Sequence, residues 1–157
     1  MNVIEAIARW CCSQPDFSPA ARRKAREAIT DTLACLYAGQ DDFSSRAVRA
    51  ASETYFTPHA SSRLAGGGRA PAAIAALVNG TAAHAIDYDD NFAPGMSHAS
   101  AVLVPALLAV ADDVRASGEQ LVKAYLIGLQ AQAFVGSGVA PSHYTAGWHG
   151  TSTVGCI

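Results

Sequence analysis

The sequence predicts an all-α fold, a helical bundle. Three observations carry this. Half of the 157 residues are hydrophobic but only 8% are aromatic, so the apolar content is mostly Ala, Val, Leu and Ile, and Ala is the strongest helix former. Apolar residues recur at three- and four-residue spacing along most of the chain. Helix-capping residues open several of these runs, and no segment alternates apolar and polar residues long enough to make a convincing strand.

The first helix places Val3, Ile4, Ile7, Trp10 and Cys11 on one face, with Asn2 as N-cap. A turn over 13–18 follows. Ser18-Pro19 opens the second helix, with Ser at the N-cap and Pro in the first turn. Its apolar face is Ala25, Ala28, Ile29, Leu33, Leu36 and Tyr37, and Gly39 is its natural C-cap. A third helix is expected over 45–55. Residues 58–69 carry Gly66-Gly67-Gly68 and are the least structured stretch; residues 62–65 are the best, though short, strand segment.

Ala70-Pro71 starts a helix bearing Ile74, Leu77 and Val78, which Asn79-Gly80 weakens or bends before His84. Residues 91–95 read as a loop. Residues 99–115 are helical with the face Val102, Leu103, Ala106 and Leu107, and Pro105 either kinks this helix or lies near its first turn. Ser117 with Gln120 is a capping-box pattern. It opens a long helix through Leu121, Tyr125, Leu126, Leu129, Ala133 and Phe134 that ends near 136–138. Residues 141–148 read as a loop, and a last helix begins at Gly150.

Size and charge narrow the function. Residues 1–157 read most simply as one domain, long enough to bury roughly 68–70% of its unfolded surface. The net charge is −2 and only 15% of residues are charged. No basic patch is present, which argues against nucleic acid or an acidic membrane surface as partner. No apolar run reaches the roughly 18 residues of a membrane span. The N-terminus lacks the basic start and apolar stretch of a signal peptide. Cys11, Cys12, Cys35 and Cys156 form no CxxC, so they read as reduced thiols in a cytoplasmic protein.

Chemistry concentrates in three stretches. The first, 79–90, contains His84, Asp87, Asp89 and Asp90. The second, 97–105, contains His98 between Ser97 and Ser100. The third, 143–155, contains His143 and His149, the latter directly before Gly150-Thr151-Ser152-Thr153. Clusters of His and Asp in apolar surroundings are where proton transfer is usually found. One helical turn separates His84 from Asp87, so both can share a face. Three readings of that acidic stretch stay open: a solvated helix end, a catalytic group, and a metal site. Imidazoles and carboxylates are common metal ligands, although no second ligand pair with standard spacing follows. A helix starting at Gly150 would present free N–H groups to a carboxylate or phosphate, beside an imidazole able to move a proton. An ordinary capped helix is the plainer alternative. The Gly66–Gly68 run lacks the GxGxxG spacing and follows no strand, so nucleotide binding is not indicated. There is no GxSxG nucleophile elbow.

Taken together, residues 76–90, 97–108 and 147–155 resemble the MmgE/PrpD family of 2-methylcitrate dehydratase and cis-aconitate decarboxylase type. Weaker likenesses are 31–39 and 124–128. They run in family order over nearly the whole chain. The resemblance implies an N-terminal piece of a helical domain from a homodimeric lyase that uses no metal or other cofactor. Family members are longer and carry a separate α+β domain that closes the active-site cleft; the resemblance implies that this chain, as a truncated piece, lacks it. In the decarboxylase branch of the family the pocket uses an Asp and two His that match Asp87, His98 and His149, with a Lys and a Tyr further along that this chain does not contain. This sequence also departs from the pattern. His98-Ala99-Ser100 stands where His-Pro-Ser is usual, Asn91-Phe92 where Thr-His commonly follows the double Asp, and Gly128-Leu129-Gln130 where an acidic residue often follows the Gly.

The resemblance implies chemistry beside a carboxylate, a dehydration or a decarboxylation of a small polycarboxylate. His149 is expected to move the proton and Asp87 to orient an imidazole. His98 is expected to bond the substrate or act as second acid/base. Gly150, Thr151, Ser152 and Asp90 are expected to hold the substrate. The rival expectation is a chain inactive alone, either one part of a split enzyme needing a complementary downstream subunit, or a member that keeps only an oligomerisation role.

Overall fold

The computed structural model describes residues 2–14 and 16–156. Pro15, within the turn expected over 13–18, lies outside them. Helix accounts for 71% of the described residues, so the fold is all-α and its small sheet is incidental. Among the described residues the α-helices are α1 (Val3–Cys12), α2 (Pro19–Gly39), α3 (Phe43–Ser52), α4 (Ala72–His84), α5 (Ala99–Val114), α6 (Gly118–Val139), α7 (Ser142–Thr145) and α8 (Gly150–Thr153). None is long and apolar enough to cross a membrane.

The helix starts follow local chemistry. Asn2 and Glu5 form a reciprocal capping box on α1, and Ser117 and Gln120 do the same on α6. The Ser18 hydroxyl accepts from the Ala21 N–H, with Pro19 in the first turn of α2. Three ion pairs then tie α2 to its surroundings: Arg22 to Asp16, and Arg22 and Arg26 to Glu119 at the start of α6.

The core forms where α2, α4, α5 and α6 meet. Ala25 and Ile29 of α2 pack with Val104 of α5 and with Val122 and Tyr125 of α6. Leu36, Ala82, Ala83 and Ala101 form a second cluster between α2, α4 and α5. The α4–α5 contact is the most extensive in the fold. It is close because it is lined with Ala and Gly. A Cβ added at Gly80 would stand 3.4 Å from the Ala101 carbonyl oxygen. That carbonyl is the one Pro105, having no N–H, leaves without its helical partner.

Several expectations need correction. Gly39 is the last residue of α2, not a left-handed cap; Gln40 follows it in helical conformation. Its small size serves a crossing instead, since a Cβ there would lie 2.2 Å from the Ala82 carbonyl oxygen of α4. Asn79-Gly80 does not interrupt α4. Asn79 is buried, accepts from the Ala65 N–H at 3.0 Å and donates to the Arg63 carbonyl at 2.8 Å. It thereby fastens a two-stranded antiparallel ribbon, β1 (Ser62–Arg63) and β2 (Arg69–Ala70), to the helices. Pro105 lies buried inside α5 rather than in its first turn. The loop expected over 141–148 contains α7. Tyr37, Leu77 and Phe134, expected in the core, are exposed, as are Val3 and Ile4 of α1.

Candidate functional site

The site begins where α4 ends. His84 is its last residue, and the chain turns through Asp87, whose φ of 54° is left-handed. Asp tolerates this conformation better than most side chains. The turn separates the three carboxylates. Asp87 points outward with 80% of its side chain exposed, while the Asp89 side chain is wholly buried. His84 and Asp87 therefore do not share a helix face. The partner of His84 is Asp89, with both carboxylate oxygens 3.0 Å from its Nδ1. Asp90 accepts the Ser100 N–H at 3.0 Å and so caps α5.

The second stretch enters through a tight loop. Phe92 and Ser97 bond each other's backbone, the Phe92 N–H donating at 2.7 Å. Met96 sits at a φ of 44°, a strained conformation for a bulky residue. Helix packing holds it there. Added Cβ atoms at Gly136 and Gly150 would lie 2.7 Å from the Pro94 carbonyl oxygen and 2.5 Å from that of Met96. His98 follows as the N-cap residue of α5. Its Nδ1 lies 3.4 Å from Asp89 Oδ2, and its Nε2 lies 3.8 Å from Asp87 Oδ1.

The third stretch folds back onto the second. The Thr151 hydroxyl accepts the His98 backbone N–H at 2.9 Å. His149 precedes α8, with its Nδ1 3.3 Å from the Ser152 hydroxyl. Thr151 is therefore committed to positioning His98, whereas Ser152 stays exposed beside His149. His143 is an anchor for this loop. Its Nε2 meets the Thr153 hydroxyl at 2.7 Å, and its ring stacks on Trp148.

Three imidazoles converge as a result. The His84 ring centre lies 4.5 Å from that of His98 and 6.0 Å from that of His149. His98 and His149 line a pocket of about 550 Å³ together with Asn91, Met96 and Tyr144. His84, His149, Thr151 and Ser152 line an adjoining groove of about 640 Å³, whose other wall includes Leu77 and Val102. No Lys or Arg is found among the described residues lining either space.

Behind the rings, two further groups are held in their protonated forms. Burial, followed by the charges of Asp31 and Asp89, pushes the Cys35 thiol up, so it is not a poised nucleophile. Burial also pushes the Tyr125 hydroxyl up, against the bond at 2.7 Å that it shares with Ser100.

His84, Asp87, Asp89 and His98 each offer one donor atom, all within 4.8 Å of one another. Imidazole and carboxylate donors at such spacing suit a borderline divalent ion. The same spacing is that of hydrogen bonds from imidazole N–H to a carboxylate, which need no ion. The arrangement can hold two imidazoles in fixed orientation at a pocket and supply proton donors and acceptors there.

His84 and Asp89 stand beside the expected site residues Asp87 and His98 without having been singled out from the sequence. Both were visible in the first stretch. Nothing in the residue types told which of Asp87, Asp89 and Asp90 would be buried, because the left-handed turn at Asp87 decides it.

Residues 5–157 match the family model of the MmgE/PrpD N-terminal domain. A 68-residue stretch is 37% identical to the cis-aconitate decarboxylase of Homo sapiens, covering 41% of this chain and 14% of that protein. On the extent of the family match, together with the helical fold, this chain belongs to the MmgE/PrpD family.

Proposed function

We propose that the chain carries one wall of a lyase pocket for small polycarboxylates, used for dehydration or decarboxylation. The convergence of the His84, His98 and His149 rings, with His98 and His149 lining one pocket, is the observation that supports this most. Both reactions need a proton moved next to a carboxylate, and imidazoles titrate near neutrality. In this reading His149 moves the proton at the reacting carbon or leaving hydroxyl. His98 is the second acid/base group or bonds the substrate. Asp87, 3.8 Å from His98 Nε2, stabilises the imidazolium when that ring is charged. Ser152 and the backbone around Gly150 receive a substrate carboxylate. Likeness to a cis-aconitate decarboxylase favours an unsaturated or hydroxylated di- or tricarboxylate as the substrate class.

The wall needs a complement. A polyanion in a pocket without Lys or Arg lacks its counter-charge. The cation is supplied by a further domain or a partner subunit, and the chain alone is inactive. The test is an assay of the isolated chain on 2-methylcitrate-like and cis-aconitate-like acids. No turnover is expected; measurable turnover refutes the need for a complement. In any assembly containing this chain that does turn over, His149→Ala is expected to cost about 10²–10⁴-fold. Near-normal turnover removes His149 from the chemistry.

A second reading has its own support. Val3 and Ile4 of α1, Val110 and Val114 of α5 and Phe134 of α6 are exposed. Exposed apolar side chains such as these are the groups that association with a second copy or a partner would bury. A chain that assembles but never enters an active complex is a non-catalytic subunit. Light scattering that shows a monomer at all concentrations argues against this reading.

A further inference from the structure

The buried Asp89 has no part in the mechanism above, yet its setting is the most demanding in the molecule. Its side chain has no solvent exposure, and its only hydrogen bonds among the described residues run to His84 Nδ1. A buried carboxylate is costly unless donors surround it. The second ring nitrogen facing it is His98 Nδ1, at 3.4 Å, itself shut off from solvent and with no other hydrogen-bond partner. Asp89 Oδ2 has lone-pair capacity beyond its bond to His84, whereas His98 Nδ1 has no partner; a proton on that nitrogen gives it one.

We propose that Asp89 is a positioning residue that draws the Nδ1–H of both His84 and His98. Each ring is thereby held as the Nδ1–H tautomer, with a bare Nε2. For His98 that Nε2 is on the side of the outward-facing Asp87. His98 therefore presents a base, not a donor, at the pocket it lines. The ring can accept a proton at Nε2 without first changing tautomer, and the resulting imidazolium has a carboxylate on each nitrogen. A carboxylate that orients a working imidazole from behind is a recurring device. Its use in turnover rests on the lyase reading; the tautomers do not, and they can be observed without any activity.

Long-range ¹⁵N–¹H correlation spectra of the full, histidine-labelled chain read ring tautomers directly. They are recorded at about pH 8.5, above the ordinary imidazole range. Free histidine side chains favour the Nε2–H form, so Nδ1–H signals from His84 and His98 are diagnostic and are the expected result. His98 as Nε2–H in the wild-type chain overturns the proposal, as does a stoichiometric divalent ion found on these nitrogens by elemental analysis. In Asp89→Asn the amide has one acceptor oxygen and one donor group, so at least one ring is expected to switch to Nε2–H. Unchanged tautomers in a folded variant also overturn it. If the variant does not fold, the wild-type spectrum still decides. In an active assembly, Asp89→Asn is expected to lower kcat about 10- to 100-fold with little change in KM. Correct tautomers with no lyase activity in any assembly would leave Asp89 in place and remove the lyase reading instead.

Discussion

The Thr151 hydroxyl accepts the His98 backbone N–H at 2.9 Å, joining two segments 53 residues apart in the chain. This bond holds the segment carrying His149, two residues before Thr151, beside the start of α5. Thr151→Val keeps the shape and removes the acceptor. Leaving a partly buried N–H without its partner is expected to cost about 1–3 kcal/mol. Thr151→Ser is expected to recover most of it. Urea unfolding of the three proteins measures both effects, and equal midpoints for all three would show the bond to be incidental.

Gly39 carries the crossing of α2 over α4. An added Cβ would meet the Ala82 carbonyl oxygen at 2.2 Å, and backbone cannot move aside as a flexible side chain would. Gly39→Ala is expected to destabilise by about 1–3 kcal/mol, the ordinary cost of overpacking. Gly118→Ala is the control. Its Cβ meets nothing within 4 Å at the start of α6, so the change is expected to be neutral or to stabilise by up to about 1 kcal/mol. Thermal melts that rank the two variants the other way would contradict this crossing.

Asn79 fastens the ribbon at β1 through two hydrogen bonds to backbone. Asn79→Leu adds apolar bulk but orphans the Ala65 N–H and the Arg63 carbonyl. A loss of about 1–3 kcal/mol for each group left unpaired is expected. Hydrogen exchange at the Ala65 amide is the specific readout. It should accelerate in the variant well beyond the change in global stability. Unchanged protection would mean that the ribbon is held by something else.

Tyr125 predicts an alkaline weakness. Burial holds its hydroxyl above the usual range; the Ser100 bond opposes this and the charge of Asp90 adds to it. The unfolded chain then releases this proton at a lower pH than the folded one. Its contribution is intact below about pH 10 and is lost as pH rises through the folded value. Tyr125→Phe gives up the Ser100 bond, costing about 1 kcal/mol near neutrality. It also removes this part of the alkaline loss. The stability gap between wild type and variant should therefore narrow as pH rises above about 10. A constant gap would contradict the burial argument.

What the sequence made legible was local. Asn2 with Glu5, Ser18 with Pro19, and Ser117 with Gln120 are chemical signals within one helical turn, and α1, α2 and α6 begin where they stand. His149 before Gly150 likewise marked the start of α8. What it hid was tertiary. Gly39 has the composition of a cap, and only the approach of Ala82 shows it to be a spacer. Asp87, Asp89 and Asp90 are indistinguishable as residue types, yet one is exposed, one is buried between two imidazoles and one caps α5. Thr151 and Asp90, expected to hold the substrate, also bond backbone N–H groups. Their hydrogen bonds to the start of α5 are set by packing that the sequence does not display.

In the proposed function, His98 and His149 face one space that receives a small polycarboxylate. The most direct measurement is a titration of the histidine-labelled chain with citrate, with chloride at matched ionic strength as control, following the imidazole resonances by NMR. The His98 and His149 signals are expected to move together along one weak saturating curve. His59, outside the three stretches, should stay still, and the curve should vanish in His149→Ala. Resonances of His98 and His149 that remain fixed while citrate is added, or that move no more than with chloride, would contradict the claim.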